Sequence, residues 1–289
     1  MQYRPLSRAA VSVIGYGGMH LSIVDRPPED QGVRVIHAAL DAGMTLIDTA
    51  DAYCLDATET GHNERLIARA LREWGPRKQA VTVATKGGIV RTGGSWLRNG
   101  RPDHIRRACE ASLKALGVEQ IALYQFHAPD PQVPFAESVG AFAELRREGK
   151  VRDVGLSNVS VVQIEEARGI VPIVAVQNRL NPYFREALSD GVLDYCGAEG
   201  IAFLAYSPTG GGRLNRKLRD IPVVRSLAES HGRSPHAVVL AWVLAQGPTV
   251  IAIPSARNTG NVEDSARAAD LVLTESDIAA IDSAEFDRS

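Results

Sequence analysis

The sequence predicts an α/β fold, a (β/α)8 TIM barrel, on three observations. Eight short β-rich runs alternate with amphipathic stretches along 289 residues, 45% of them hydrophobic. No Gly-x-Gly-x-x-Gly turn follows an early strand, so the usual open dinucleotide-binding sheet lacks its phosphate turn. The longest irregular stretches, 53–62, 87–102 and 207–220, all follow strands, on the face where barrels keep their chemistry.

The strands in order are VSVIGYG, centred on residues 12–17, then TLIDTA, VTVATK, IALYQFH, RDVGLS, IVAVQ, AFLAYS and TVIAIP. Between them, QGVRVIHAALDAG sets Val33, Ile36 and Leu40 on one helical face. HIRRACEASLKALG does the same with Ile105, Cys109, Ser112 and Leu116. Gly43 and Gly117 stand where a helix C-cap wants a left-handed residue. Ser234-Pro235 reads as an N-cap with proline in the first turn, and Gly247-Pro248 closes that helix. No linker, low-complexity tract or charge run divides the chain, so residues 1–289 read as one domain.

Composition excludes several classes. The formal net charge is −2 with both signs interspersed, and no basic concentration suggests nucleic acid. Cys54, Cys109 and Cys196 lie far apart and match no metal spacing, so reduced thiols in a cytoplasmic compartment and no metal are expected. MQYRPLSRAAVSVIG has no charged start followed by a long apolar run, so neither a signal peptide nor a membrane span is expected. A monomer or weak oligomer is the expected state.

Four residues carry the chemistry: Asp48, Tyr53, Lys86 and His127. Each sits at or just after the C-terminal end of a predicted strand, so all four reach one barrel rim. A tyrosine can donate a proton, and a lysine charge lowers its pKa from about 10. Asp48 would hold Lys86 charged and oriented, and a neutral His127 would hydrogen-bond a substrate oxygen. Singly, each has an ordinary structural explanation: a turn aspartate, a rim aromatic, a solvated lysine, a bonded histidine. Together on one rim they form a proton-donating site.

LIDTADAY followed by GHNERLIARAL, the lysine of VTVATK, the histidine of IALYQFH, and the VGLSN, VQN, AYSP and IPSAR segments resemble an aldo-keto reductase from end to end. The GYGGM start and GLSNVS segment resemble bacterial members acting on pyridoxal or on sugar aldehydes and ketones. The resemblance implies a nicotinamide cofactor. Ser157, Asn158 and Gln177 would bind its carboxamide, and Tyr206 would stack on the ring. Gly18 and Met19 would approach it through the backbone, with Asp48 beside it. Ser207, Pro208 and Gly210, in SPTGGG, would surround the pyrophosphate. Ser255, Arg257, Asn261 and Asp264 would meet the adenosine 2′-phosphate and adenine. Turns, caps and core packing are the plain alternatives for these residues, Asp264 in the first turn of a helix among them.

The last segment departs from the best-known family pattern. Ser255 replaces a lysine, and Asn261 and Asp264-Ser265 replace Arg and Glu-Asn. Arg257 is thus the only cation in IPSARNTGNVEDS, and NADPH is expected over NADH. Trp96, Tyr183 and Phe184 are candidate walls for a small-molecule carbonyl substrate. Two other readings stand beside carbonyl reduction: a Schiff-base lyase using Lys86, and a cofactor-binding regulatory subunit without catalysis.

Overall fold

A computed structural model describes residues 1–289, apart from the side chains of Pro76 and Lys78. Its barrel strands are β1 (Tyr16–Gly17), β2 (Leu46–Asp48), β3 (Thr82–Gly87), β4 (Ile121–Phe126), β5 (Val151–Ser157), β6 (Ile173–Gln177), β7 (Ala202–Ala205) and β8 (Val250–Ala252). All pair in parallel, each with its sequence neighbour. The ring closes because Ile14 bridges Ala252, with Gly15 N donating to Ala252 O at 2.8 Å and Ala252 N to Val13 O at 2.9 Å. This is the TIM barrel.

Helices α1 (Glu29–Asp41), α2 (His62–Trp74), α3 (Pro102–Leu116), α4 (Phe135–Arg147), α5 (Val161–Arg168), α6 (Val192–Ala198), α7 (Pro235–Ala245) and α8 (Thr259–Arg267) surround it. Gly43 and Gly117 hold φ of 86° and 67° at helix ends. Ser234 Oγ accepts from Ala237 N at 3.0 Å with Pro235 in the first turn.

Strand side chains alternate between the outer helical layer and the barrel interior. Ile47, Tyr124, Phe126, Val176 and Phe203 face outward into the helix–sheet core. Leu46, Ala84, Leu123, Ala175, Leu204 and Ile251 form an apolar layer inside. Two residues further along four of those strands stand Asp48, Lys86, Gln125 and Gln177, all buried. The interior is therefore apolar below and polar at the C-terminal rim. Gly155 on β5 keeps that rim closed, since a Cβ there would lie 3.0 Å from Gln125 Cγ and 3.1 Å from Ala175 O.

Three segments differ from the sequence reading. Residues 3–12 form an antiparallel hairpin, Tyr3–Leu6 with Ala9–Ser12, whose Leu6 and Val11 pack into the interior layer from below. The stretch 87–102 is not irregular: Ile89–Thr92 and Ser95–Arg98 pair as a second hairpin. The stretch 207–220 contains a short helix, Gly212–Lys217, and is followed by a further helix, Pro222–His231. Isolated short runs carry weak periodicity, and packing on the barrel decides them.

Candidate active site

Asp48 ends β2 and Lys86 lies near the end of β3, both pointing inward. Lys86 Nζ donates to Asp48 Oδ2 at 2.6 Å, to Thr49 O at 2.8 Å and to Tyr53 Oη at 3.0 Å. Its side chain is fully buried and that of Asp48 nearly so, at 0% and 4% exposure. Burying either charge alone would be costly, and their contact offsets that. Gln177 Nε2 donates to the other Asp48 oxygen at 2.7 Å and Gln125 Nε2 at 3.3 Å, so the carboxylate is held on both sides. Tyr53 arrives through a tight turn, its N–H donating to Ala50 O at 3.2 Å. His127 follows β4 directly, and its ring meets Tyr53 edge-on at 5.7 Å. Thus the four residues that the sequence singled out do converge.

Charge states follow from burial and neighbours. Burial alone would lower the pKa of Lys86, but Asp48 and the Tyr53 oxygen more than offset it and the net shift is upward. For Tyr53, burial raises the phenol pKa and the Lys86 charge pulls it down, with burial prevailing. This corrects the expectation that lysine brings the tyrosine below 10. The lysine acts in the expected direction, but burying a phenolate is the larger cost. Burial, then the Lys86 charge, pushes His127 well below its ordinary value, so its imidazole is neutral. His127 Nδ1 is buried without a partner.

The opposite half of the rim gathers the remaining residues. Ser157 Oγ donates to Gln177 O at 2.8 Å, and Asn158 Nδ2 donates to His127 O at 3.0 Å. Asn158 holds a left-handed φ of 59°, and its Oδ1 accepts from Tyr206 Oη at 2.8 Å. Beside them is a hollow of about 300 Å³ lined by Asn158, Asn178, Arg179, Phe184 and Tyr206, among others. Gly18 N donates to Asp48 O at 2.8 Å, which sets Gly18 and Met19 against β2. Ser207 has φ 48°, and Gly210, Gly211 and Gly212 have φ of 94°, 65° and 41°; Gly210 N donates to Ser207 O at 2.9 Å, so SPTGGG turns sharply after the strand. Ser255 Oγ donates to Gly17 O at 2.6 Å, and Arg257 reaches only Val24 O, at 3.3 Å. Asn261 lies exposed in the first turn of α8, capped by Asn258.

The profile of the Aldo/keto reductase family matches residues 13–285, which takes in every residue of this rim. This chain belongs to that family. It is 34% identical to a probable aldo-keto reductase 1 of Glycine max over 93% of this chain and 84% of that protein. It superposes with a TM-score of 0.84 on the glycerol dehydrogenase from Gluconobacter oxydans, at 32% identity, covering 96% of this chain and 93% of that one. An aldo/keto reductase from Klebsiella pneumoniae, solved in complex with NADP and acetate, superposes at 0.81 with 27% identity, covering 96% and 92%. The chain is accordingly an NAD(P)H-dependent oxidoreductase.

Several features of the rim escaped the sequence reading. Gln125 is a fully buried glutamine inside an apolar strand, and that misplacement was its signal. Asp51 and Glu64 are buried behind the rim. Burial, with each other's proximity adding for Asp51, raises both carboxyls, and Glu64 accepts from Thr85 Oγ1 at 2.6 Å. Asp264 stands in the second turn of α8, not the first, and accepts from Ser234 Oγ at 2.5 Å. It lines a hollow of about 480 Å³ with Arg219, Arg225, Arg233 and Arg267, cations that the local sequence around Arg257 did not reveal. The Schiff-base alternative conflicts with Lys86 itself: all three ammonium hydrogens are engaged and its pKa is raised, so no free amine lone pair is at hand. Among the described residues no helix is long and apolar enough to cross a membrane.

Proposed function

We propose that this protein reduces an aldehyde or ketone to an alcohol with NADPH, Tyr53 acting as the general acid. The observation that carries this reading is the 3.0 Å contact between Lys86 Nζ and Tyr53 Oη, with Lys86 anchored on Asp48. Reduced nicotinamide, when bound, supplies the hydride to the carbonyl carbon. As negative charge develops on the carbonyl oxygen, Tyr53 gives it the phenolic proton. The resulting phenolate is stabilised by the Lys86 ammonium, and water later returns the proton. Neutral His127 orients the carbonyl by a hydrogen bond from its ring.

The other half of the rim suits the cofactor. Tyr206 is half-buried beside the hollow, and Asn158 is exposed next to it. Ser157, Asn158 and the Gln177 amide oxygen, which accepts no bond among the described residues, would hold the carboxamide. Arg257, Ser255 and Asn261 would meet the 2′-phosphate, and Asp264 the adenine. Ser207, Pro208 and Gly210 would follow the pyrophosphate, with Gly18 and Met19 beneath. The test is a panel of carbonyl compounds with NADPH and NADH, followed by loss of reduced-cofactor absorbance. Turnover with NADPH that disappears in Tyr53→Phe is expected. Undiminished turnover in that variant would refute the assignment.

A further inference from the structure

The hairpin that the sequence left unassigned places an unusual arginine beside the proton donor. Ile89–Thr92 and Ser95–Arg98 pair so that Arg91 stands directly opposite Trp96. Residues opposite one another share a face. The Arg91 guanidinium lies 4.0 Å from the centre of the Trp96 ring, and that ring and Tyr53 meet in a T-shaped arrangement with centres 6.2 Å apart. Trp96 thus neighbours both the cation and the tyrosine.

Arg91 is only 4% exposed. Its Nη2 donates to Leu55 O at 3.2 Å, while Nε and Nη1 are buried without any acceptor. Nor does an anion contact it: among the described residues no carboxylate lies within ion-pair distance, and Asp56 feels its charge only from further off. The acidic groups on the adjoining segment are engaged elsewhere. Glu59 pairs with Arg26 through contacts of 2.7 and 2.9 Å, and Asp56 accepts from Thr58. Burial pushes the Cys54 thiol up to about 11, against the pull of Arg91, so it stays neutral. A buried guanidinium with free N–H groups is costly and calls for a partner.

Trp96 covers that cation, yet is 43% exposed itself. The hairpin turns through Gly93 and Gly94, with φ of 54° and 77°, the two-glycine tip of a tight β-turn. Trp96 stands two residues past that tip and is partly open to solvent.

We infer that Arg91 is the specificity residue of the carbonyl site and receives a carboxylate carried by the substrate, with Trp96 as the cover that moves aside. This rests on the carbonyl-reductase reading and narrows it to aldehydes or ketones bearing a carboxylate. A carboxylate suits the site better than a phosphate ester. One guanidinium balances its single charge, whereas a phosphate carries nearly two.

The test uses benzaldehydes carrying a 4-methyl, 4-carboxylate or 4-phosphate group, with NADPH. The carboxylate compound should show the highest kcat/KM. Arg91→Met should lower it by about ten- to hundredfold, the range for a hydrogen bond to a charged group, leaving the methyl compound within about twofold. Equal losses on both, or a phosphate preference, would overturn the inference. A second arm is independent of turnover: calorimetric titration of 4-methylbenzoate and of uncharged 4-methylbenzamide into the protein with NADP+. Selective benzoate binding that weakens at least about tenfold in Arg91→Met is expected. Should that variant not fold, Trp96→Ala serves, since uncovering the guanidinium tightens benzoate. Unchanged benzoate affinity in the variant tested would sink the idea even if no aldehyde is reduced. Absent turnover with selective benzoate binding would instead refute the reductase reading alone.

Discussion

The two ends of the rim are built differently. At the catalytic end, Asp48, Lys86 and Tyr53 are buried and joined by contacts of 2.6 and 3.0 Å. At the far end, Arg257 and Asn261 are partly or fully exposed, and Arg257 donates only to a backbone oxygen at 3.3 Å. The first group is fixed in place before any ligand arrives. The second is loosely held, and under the proposed function the cofactor would complete it. Proton transfer needs atoms held to fractions of an ångström, whereas phosphate recognition tolerates a flexible guanidinium. Mutations at the two ends should therefore fail in different ways.

The largest effect is expected from Tyr53→Phe. Carbonyl reduction should fall by roughly 10²–10⁴-fold, the span for loss of a general acid. Cofactor affinity, measured by fluorescence titration, should be unchanged. A parallel loss of cofactor binding would erase the distinction between the two ends.

Lys86→Met comes next. It leaves the buried Asp48 without its cation, which costs about 3–5 kcal/mol of folding stability. It also removes the one neighbour pulling the Tyr53 pKa down, so any remaining alcohol oxidation should shift to higher pH. Denaturant unfolding and a pH–rate profile check both. Wild-type stability with an unshifted profile would mean that the network is not rigid.

Arg257→Ala should act on binding alone. NADPH affinity should drop by about 1.5–3 kcal/mol, with NADH nearly unaffected because it lacks the 2′-phosphate. Titration of both cofactors against wild type and variant measures this. Equal losses would remove Arg257 from the phosphate. A negligible loss for both would direct attention to Arg219, Arg225, Arg233 and Arg267 near Asp264.

The smallest effect concerns pH. His127 is held neutral well below its unfolded pKa of about 6.5 by burial and by Lys86. As pH falls past about 6.5, the unfolded chain takes up the proton first. Its share of stability is therefore complete above that pH and is lost as pH falls toward the folded value, at no more than ~1.4 kcal/mol per pH unit. Thermal melts of His127→Asn between pH 7 and 5 should decline less steeply than wild type. Burial also lowers His20, His62, His104 and His236, so a residual slope remains in both proteins. Identical slopes would show that His127 is free to charge.

The sequence by itself determined the eight-strand barrel, because short β-rich runs and amphipathic helical stretches repeat in order and are local properties. It also placed Asp48, Tyr53, Lys86 and His127 on one rim, since strand ends in a barrel share a face. Tertiary structure alone decided what lies between distant segments. The hairpin at 3–12 became the barrel floor, and that at 89–98 set Arg91 under Trp96. Gln125 and Gln177 met on Asp48 from strands far apart in sequence. Burial set the charge balance at Tyr53 against the lysine. Such quantities depend on desolvation and on contacts across the ring, and neither is encoded within any one segment of the chain.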